Sequence, residues 1–196
     1  MNMKIIVPLL VIAAVVVVAL LLRQRRTGTV SIVSPRFGIL NLKGAAAEPL
    51  ISEDMTALAP VLGQPNRSMD ATPQCDVLLL YCDIDRSGTV RNAKVGFREI
   101  IRDSGATIVV VASENDADAY IAAGKDKGFG RANLVMTLQR NGDVFASFFA
   151  RLFADMKRGV SMPVAWVKLA PQIPGHEHSD CPGTIFACEA GQVTFK

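Results

Sequence analysis

With 196 residues, half of them hydrophobic, and a formal net charge of +3, the chain has room for one folded domain and an apolar segment besides. Once Lys4, Arg23, Arg25 and Arg26 are set aside, 17 of the 21 Lys+Arg residues remain against 18 Asp+Glu, a net charge of −1. The pI of about 8.8 therefore reflects the amino-terminal end, and the remainder lacks the electrostatic footprint of a nucleic-acid-binding domain.

Residues 5–22, IIVPLLVIAAVVVVALLL, contain no charged or polar side chain. Eighteen residues at about 1.5 Å each reach roughly 27 Å, close to the hydrocarbon thickness of a bilayer. Arg23, Arg25 and Arg26 follow at once without an Ala-x-Ala cleavage pattern, so the segment reads as an uncleaved anchor. Three arginines after the span against Lys4 and the α-amino group before it place the remainder in the cytoplasm. The expected organisation is a membrane anchor with a basic flank over 1–26 and one domain over 27–196, a single-pass membrane protein with the lipid bilayer as its first partner. On the cytoplasmic side Cys75, Cys82, Cys181 and Cys188 stay reduced, and about 170 residues bury a core without disulfides.

VSIV and FGILNL predict two short strands around a Ser34-Pro35 turn. SEDMTALAPVLG predicts a helix with Ser52 as its N-cap and Gly63 at its end. Residues 64–74, QPNRSMDATPQ, read as a polar loop. DVLLLYC is an apolar run of buried-strand length. RNAKVGFREIIRDSG carries apolar residues at 93, 97, 100 and 101 and closes on Gly105, which predicts a helix. ATIVVVAS is a second buried strand, ADAYIAAG a short helix and NLVMTL a third strand. DVFASFFARLFADMKRG puts Val144, Phe145, Phe148, Phe149, Leu152, Phe153 and Met156 on one helical face. SMPVAWVKLA is another helix, capped by Ser161 with Pro163 in its first turn. TIFAC and QVTF read as short strands at the end. Strands alternating with helices predict a three-layer α/β sandwich around a mainly parallel sheet. Its ligand crevice should lie beyond the carboxyl ends of the strands, where Asp83, Asp85, Ser113 and Glu114 fall.

Asp83-Ile84-Asp85 at the end of a strand admits three chemistries. Asp83-x-Asp85-x-Ser87-Gly88 matches the first half of a calcium loop, but Lys94 stands where that loop needs a bidentate glutamate. The same residues resemble the first motif of the haloacid-dehalogenase phosphatases. That resemblance would make Asp83 the nucleophile, Asp85 the acid/base and magnesium the cofactor, with Ser113 as second motif and Lys125 or Lys127 as third. The fourth motif needs paired acids, and only Asp143 is there.

The longer stretch GATIVVVASENDADAYIAAGKDKGFGRANLVMTL, with FFARLFADMKRGVSMPVAWVKLAPQ, resembles the CHAT family of caspase-like peptidases over about residues 75–172. The resemblance implies a strand ending at a catalytic Cys beside one ending at a catalytic His. Ser113 and Asp83 stand at those positions. A caspase-like dyad needs a thiolate and an imidazole, so the resemblance implies a domain that has lost its chemistry. It also implies work by binding a protein partner, as a scaffold or sensor in a signalling or defence assembly at the membrane, without a cofactor. From about residue 173, the tail holds His176, His178, Cys181 and Cys188, four zinc-capable ligands within thirteen residues. Their spacing matches no common zinc finger.

Overall fold

The structure is a computed structural model that describes residues 29–125, 131–170 and 182–196. The expected anchor over 5–22, Lys127, and the tail residues His176, His178 and Cys181 lie outside the described residues. Among the described residues, no helix is long and apolar enough to cross a membrane.

The strands are β1 (Thr29–Ile32), β2 (Phe37–Asn41), β3 (Asn66–Ser68), β4 (Val77–Tyr81), β5 (Ile108–Val111), β6 (Asn133–Gln139), β7 (Gly183–Cys188) and β8 (Gln192–Phe195). Between them run helices α1 (Glu48–Leu62), α2 (Phe97–Ser104), α3 (Ala117–Gly124), α4 (Val144–Lys157) and α5 (Met162–Leu169). Six strands form the main sheet in the order β3-β2-β4-β5-β6-β7, all parallel except β7, which runs antiparallel to β6. The alternation of the sequence thus gives an α/β domain with a mainly parallel sheet.

The continuous apolar runs are explained by burial on both faces. Val77, Leu79 and Tyr81 of β4 point to a core shared with Ile108, Val110 and Val135, closed by α1, α4 and α5. Leu78 and Leu80 point the other way, to a core closed by Phe97, Ile100 and Ile101 of α2 and Ala119 and Tyr120 of α3. The aromatic face of α4 belongs to the first core: Phe145, Phe148, Phe149, Leu152, Phe153 and Met156 are all buried. Trp166 meets Phe148 edge-on at 5.2 Å and stacks on Phe186 at 4.9 Å, which brings α5 and β7 onto the same layer.

Two expectations are corrected. The first helix begins at Glu48, four residues before Ser52, after a 3-10 turn over Gly44–Ala47. Pro49 accepts a first-turn position without losing a bond, and the Glu48 carboxylate favours the positive end of the helix. Within the polar loop 64–74, Asn66–Ser68 forms the edge strand β3, paired with Gly38–Leu40. A three-residue edge strand has little apolar face to reveal it, and short polar edges protect a sheet against further pairing.

The remaining strands, β1 and β8, pair in parallel as a separate ribbon, Thr29 opposite Gln192 and Ile32 opposite Phe195. The ribbon starts beside the first residue of β6. Asn133 donates to the Gly191 carbonyl at 3.0 Å and accepts from the Ala190 N–H at 3.0 Å. The chain therefore enters the fold at the amino-terminal pole of the sheet, opposite the pole where a crevice is expected.

Candidate functional site

In a doubly wound sheet the crevice opens at the carboxyl ends of the strands where the strand order reverses, here between β2 and β4. The two strands stay together past their ends, with the Leu42 N–H on the Tyr81 carbonyl at 2.9 Å. Asn41, buried at the end of β2, shapes the next turn. Its amide donates to the Gly44 carbonyl and to Glu48 Oε1 at 2.9 and 3.0 Å, and its oxygen accepts the Lys43 N–H at 3.1 Å. Arg67 of β3 holds Glu48 at 2.8 Å, and that bond lowers the carboxyl below its ordinary pKa. So fixed, Lys43 reaches across the crevice and its Nζ pairs with the Asp83 carboxylate.

The two aspartates after β4 part company. Asp83 faces Lys43, with 42% of its side chain exposed against 24% for the lysine. Asp85 turns into its own loop. Its Oδ1 accepts the Ser87 N–H at 2.9 Å, the Ser87 hydroxyl at 2.5 Å and the Thr89 N–H at 3.1 Å. These bonds lower its pKa, and with the Ile84–Val90 bridge they make residues 84–90 a tight hairpin. Gly88 seats that hairpin on α3. Its φ of +83° is left-handed, and a Cβ there would come within 2.5 Å of the Ala123 nitrogen.

Ser113 lies where β5 ends, beside β4, with only 1% of its surface exposed. Its hydroxyl accepts the Cys82 N–H at 2.8 Å and donates to the Cys82 carbonyl at 2.6 Å, continuing the pairing of the two strands through a side chain. Asn115 ties the same junction together, accepting the Ile84 N–H at 2.7 Å and donating to the Cys82 carbonyl at 3.2 Å. The structure thus brings the Asp83 and Ser113 backbones to one place and sends their side chains to different partners. Cys82, between them, is buried, and desolvation pushes its thiol up to about 12, the opposite of an activated nucleophile. Glu114 is exposed and accepts the Arg140 N–H at 2.7 Å.

Behind this rim lies a charged cluster that the sequence did not announce. Arg140, after β6, folds back under the sheet and meets Asp54 of α1 with two bonds, at 2.7 and 3.1 Å. It also donates to the Ala112 carbonyl at 2.7 Å and stacks over the Phe145 ring at 3.9 Å. The Tyr81 hydroxyl donates to the same carboxylate. Burial raises the Asp54 carboxyl above its ordinary pKa, and Arg140 and Tyr81 pull against that shift. Asp54 lies within the segment SEDMTALAPVLG, and Arg140 falls between the strand NLVMTL and the helix that starts after Asp143. Their pairing spans 86 positions, a separation at which local pattern carries no signal.

For the metal readings, no group of three or more His, Cys, Asp or Glu residues is arranged to hold a metal among the described residues. Cys188 is exposed at the end of β7, its Sγ 3.5 Å from the Gly191 carbonyl. Cys75 and Cys82 are buried free thiols. Compared with models of known protein families and with characterised proteins, the chain matches none.

Proposed function

We propose that the chain is a membrane-anchored, caspase-like domain that binds and does not cleave. One observation carries this reading. At the two positions that the CHAT resemblance gives to nucleophile and base, the Ser113 hydroxyl is bonded on both sides to Cys82 backbone and the Asp83 carboxylate is paired with Lys43. A nucleophile and base need a hydrogen bond to each other, and neither side chain is turned toward that task. What the crevice offers is a half-exposed opposite-charge pair at the switch point of the sheet, suited to a charged segment of a protein partner.

The parallel pairing of β4 with β5 supports the caspase-like reading, since the two strands that carry the site must be neighbours. Its role is that of a scaffold or sensor in a signalling or defence assembly on the membrane. The rival reading, a magnesium-dependent phosphohydrolase, needs Asp85 as acid/base, yet that carboxylate is bound into its own turn.

The test is turnover by the full-length chain in lipid vesicles, offered a peptide library and, with magnesium, a generic phosphate ester. Neither should be consumed. Peptide cleavage abolished by Ser113→Ala would overturn the proposal in favour of a protease. Phosphate release abolished by Asp83→Asn would overturn it in favour of the phosphatase.

A further inference from the structure

The opposite pole of the sheet carries a different kind of surface. Arg98 and Arg102, one turn apart on α2, and Arg131, two residues before β6, rim a cavity of about 420 Å³. Its floor is apolar, built from Ile101, Ala106 and Ala132. All three arginines are exposed. Arg102 is paired with Asp103, whereas Arg98 and Arg131 make no ion pair among the described residues. Nothing in the crevice at the other pole uses these residues.

The path of the chain gives this cavity an address. Arg131 and Ala132 lead directly into Asn133, whose side chain binds the turn at Ala190 and Gly191. The next residue, Gln192, pairs with Thr29, the point at which the chain enters the domain. Between Leu22, where the apolar segment ends, and Thr29 stand six residues, RQRRTG. At full extension they reach about 20 Å, so Thr29 cannot stand far from the bilayer. Lys157 and Arg158, at the end of α4, and Lys196, beside Ile32, lie at the same pole. Among the described residues the acids there are Asp76, Asp103, Asp155 and Glu189, with Glu99 next to Arg98 on α2. The first three are paired with Arg36, Arg102 and Arg158.

We infer that the amino-terminal pole of the sheet seats on anionic lipid, with a headgroup phosphate held among Arg98, Arg102 and Arg131. The inference rests on the proposed anchor. Guanidinium groups match phosphate oxygens two at a time, and the cytoplasmic leaflet is the anionic one. Each arginine near such a surface adds roughly a fivefold preference for it. Arg23, Arg25 and Arg26 add to the same field. Seated this way, the domain presents Lys43 and Asp83 away from the membrane, toward a partner.

The experiment reconstitutes the full-length chain in vesicles of phosphatidylcholine alone, or with one lipid in three replaced by phosphatidylserine. Trp166, the single tryptophan, is the energy-transfer donor to a dansyl-labelled lipid. Transfer should be higher with phosphatidylserine and should fall as salt is added. Arg98→Gln/Arg102→Gln/Arg131→Gln should remove most of that gain, leaving transfer close to the phosphatidylcholine value, while the chain stays on the vesicles. Equal transfer in both lipids, with the chain retained, would overturn the arginine pole and leave the anchor standing. Release of the chain from both kinds of vesicle would overturn the anchor, and this inference with it. Loss of the lipid effect on adding inorganic phosphate, at constant ionic strength, would reassign the cavity to a soluble anion.

Discussion

Asp54 and Asp83 each meet one cation, in opposite surroundings, and the contrast separates what holds this fold from what the fold offers to others. Asp54 is fully buried and its partner Arg140 nearly so, with side-chain exposures of 0% and 6%. Asp83 and Lys43 keep 42% and 24% of their side chains exposed. Breaking a buried pair leaves a desolvated charge behind and costs about 3–5 kcal/mol, whereas an exposed pair is worth about 0–1 kcal/mol. Asp54→Ala strands the Arg140 guanidinium and the Tyr81 hydroxyl together. Against a total stability of about 5–15 kcal/mol, the largest expected effect is therefore a loss of about 3–5 kcal/mol in urea unfolding of this variant. A loss under about 1 kcal/mol would mean that Arg140 finds water once released, and the contrast would collapse.

Ser113 falls between these extremes and tests whether the rim is built for structure. Its hydroxyl satisfies both the N–H and the carbonyl of Cys82 in a place without solvent. Ser113→Ala leaves the buried Cys82 N–H unpaired, while the carbonyl keeps the Asn115 amide at 3.2 Å. About 1–3 kcal/mol is the ordinary penalty for one such orphaned group. Thermal unfolding should register that loss. An unchanged melting temperature would show that the β4–β5 junction has another way to satisfy Cys82, and would return the hydroxyl to the list of groups free to react.

The same contrast explains how far the sequence could be read. DVLLLYC and ATIVVVAS declare themselves because a strand buried on both faces must be apolar at every position, and each is a strand of the sheet centre. The aromatic face of α4 is equally legible, since six of the seven residues placed on it are buried and Val144 alone is half-buried. The edge strand β3 was not legible, because Asn66, Arg67 and Ser68 carry no apolar signal. At the rim, the positions of Asp83, Asp85 and Ser113 could be read from the strand ends. Their side-chain directions could not, because these depend on Lys43, Ser87 and the Cys82 backbone, a turn, a loop and a neighbouring strand. The Asp54–Arg140 pair was silent for the same reason.

The smallest expected effect is on Asp83 itself. Asp83→Asn removes the charge that faces Lys43 and keeps the shape, in a place where water can reach both groups. The backbone around it is held by other bonds: the Arg91 N–H on the Asp83 carbonyl at 2.8 Å, and the Ile84 N–H on Asn115 at 2.7 Å. The fold therefore does not need the carboxylate, and the change should be about 0–1 kcal/mol by urea unfolding, fading as salt is raised. A partner that reads the Lys43–Asp83 pair would feel the substitution far more, because truncating a charge pair desolvated in an interface typically costs about 2–5 kcal/mol. Stability loss at Asp83 as large as at Asp54 would reverse this assignment, making the carboxylate part of the scaffold and leaving the crevice without a group free for a ligand.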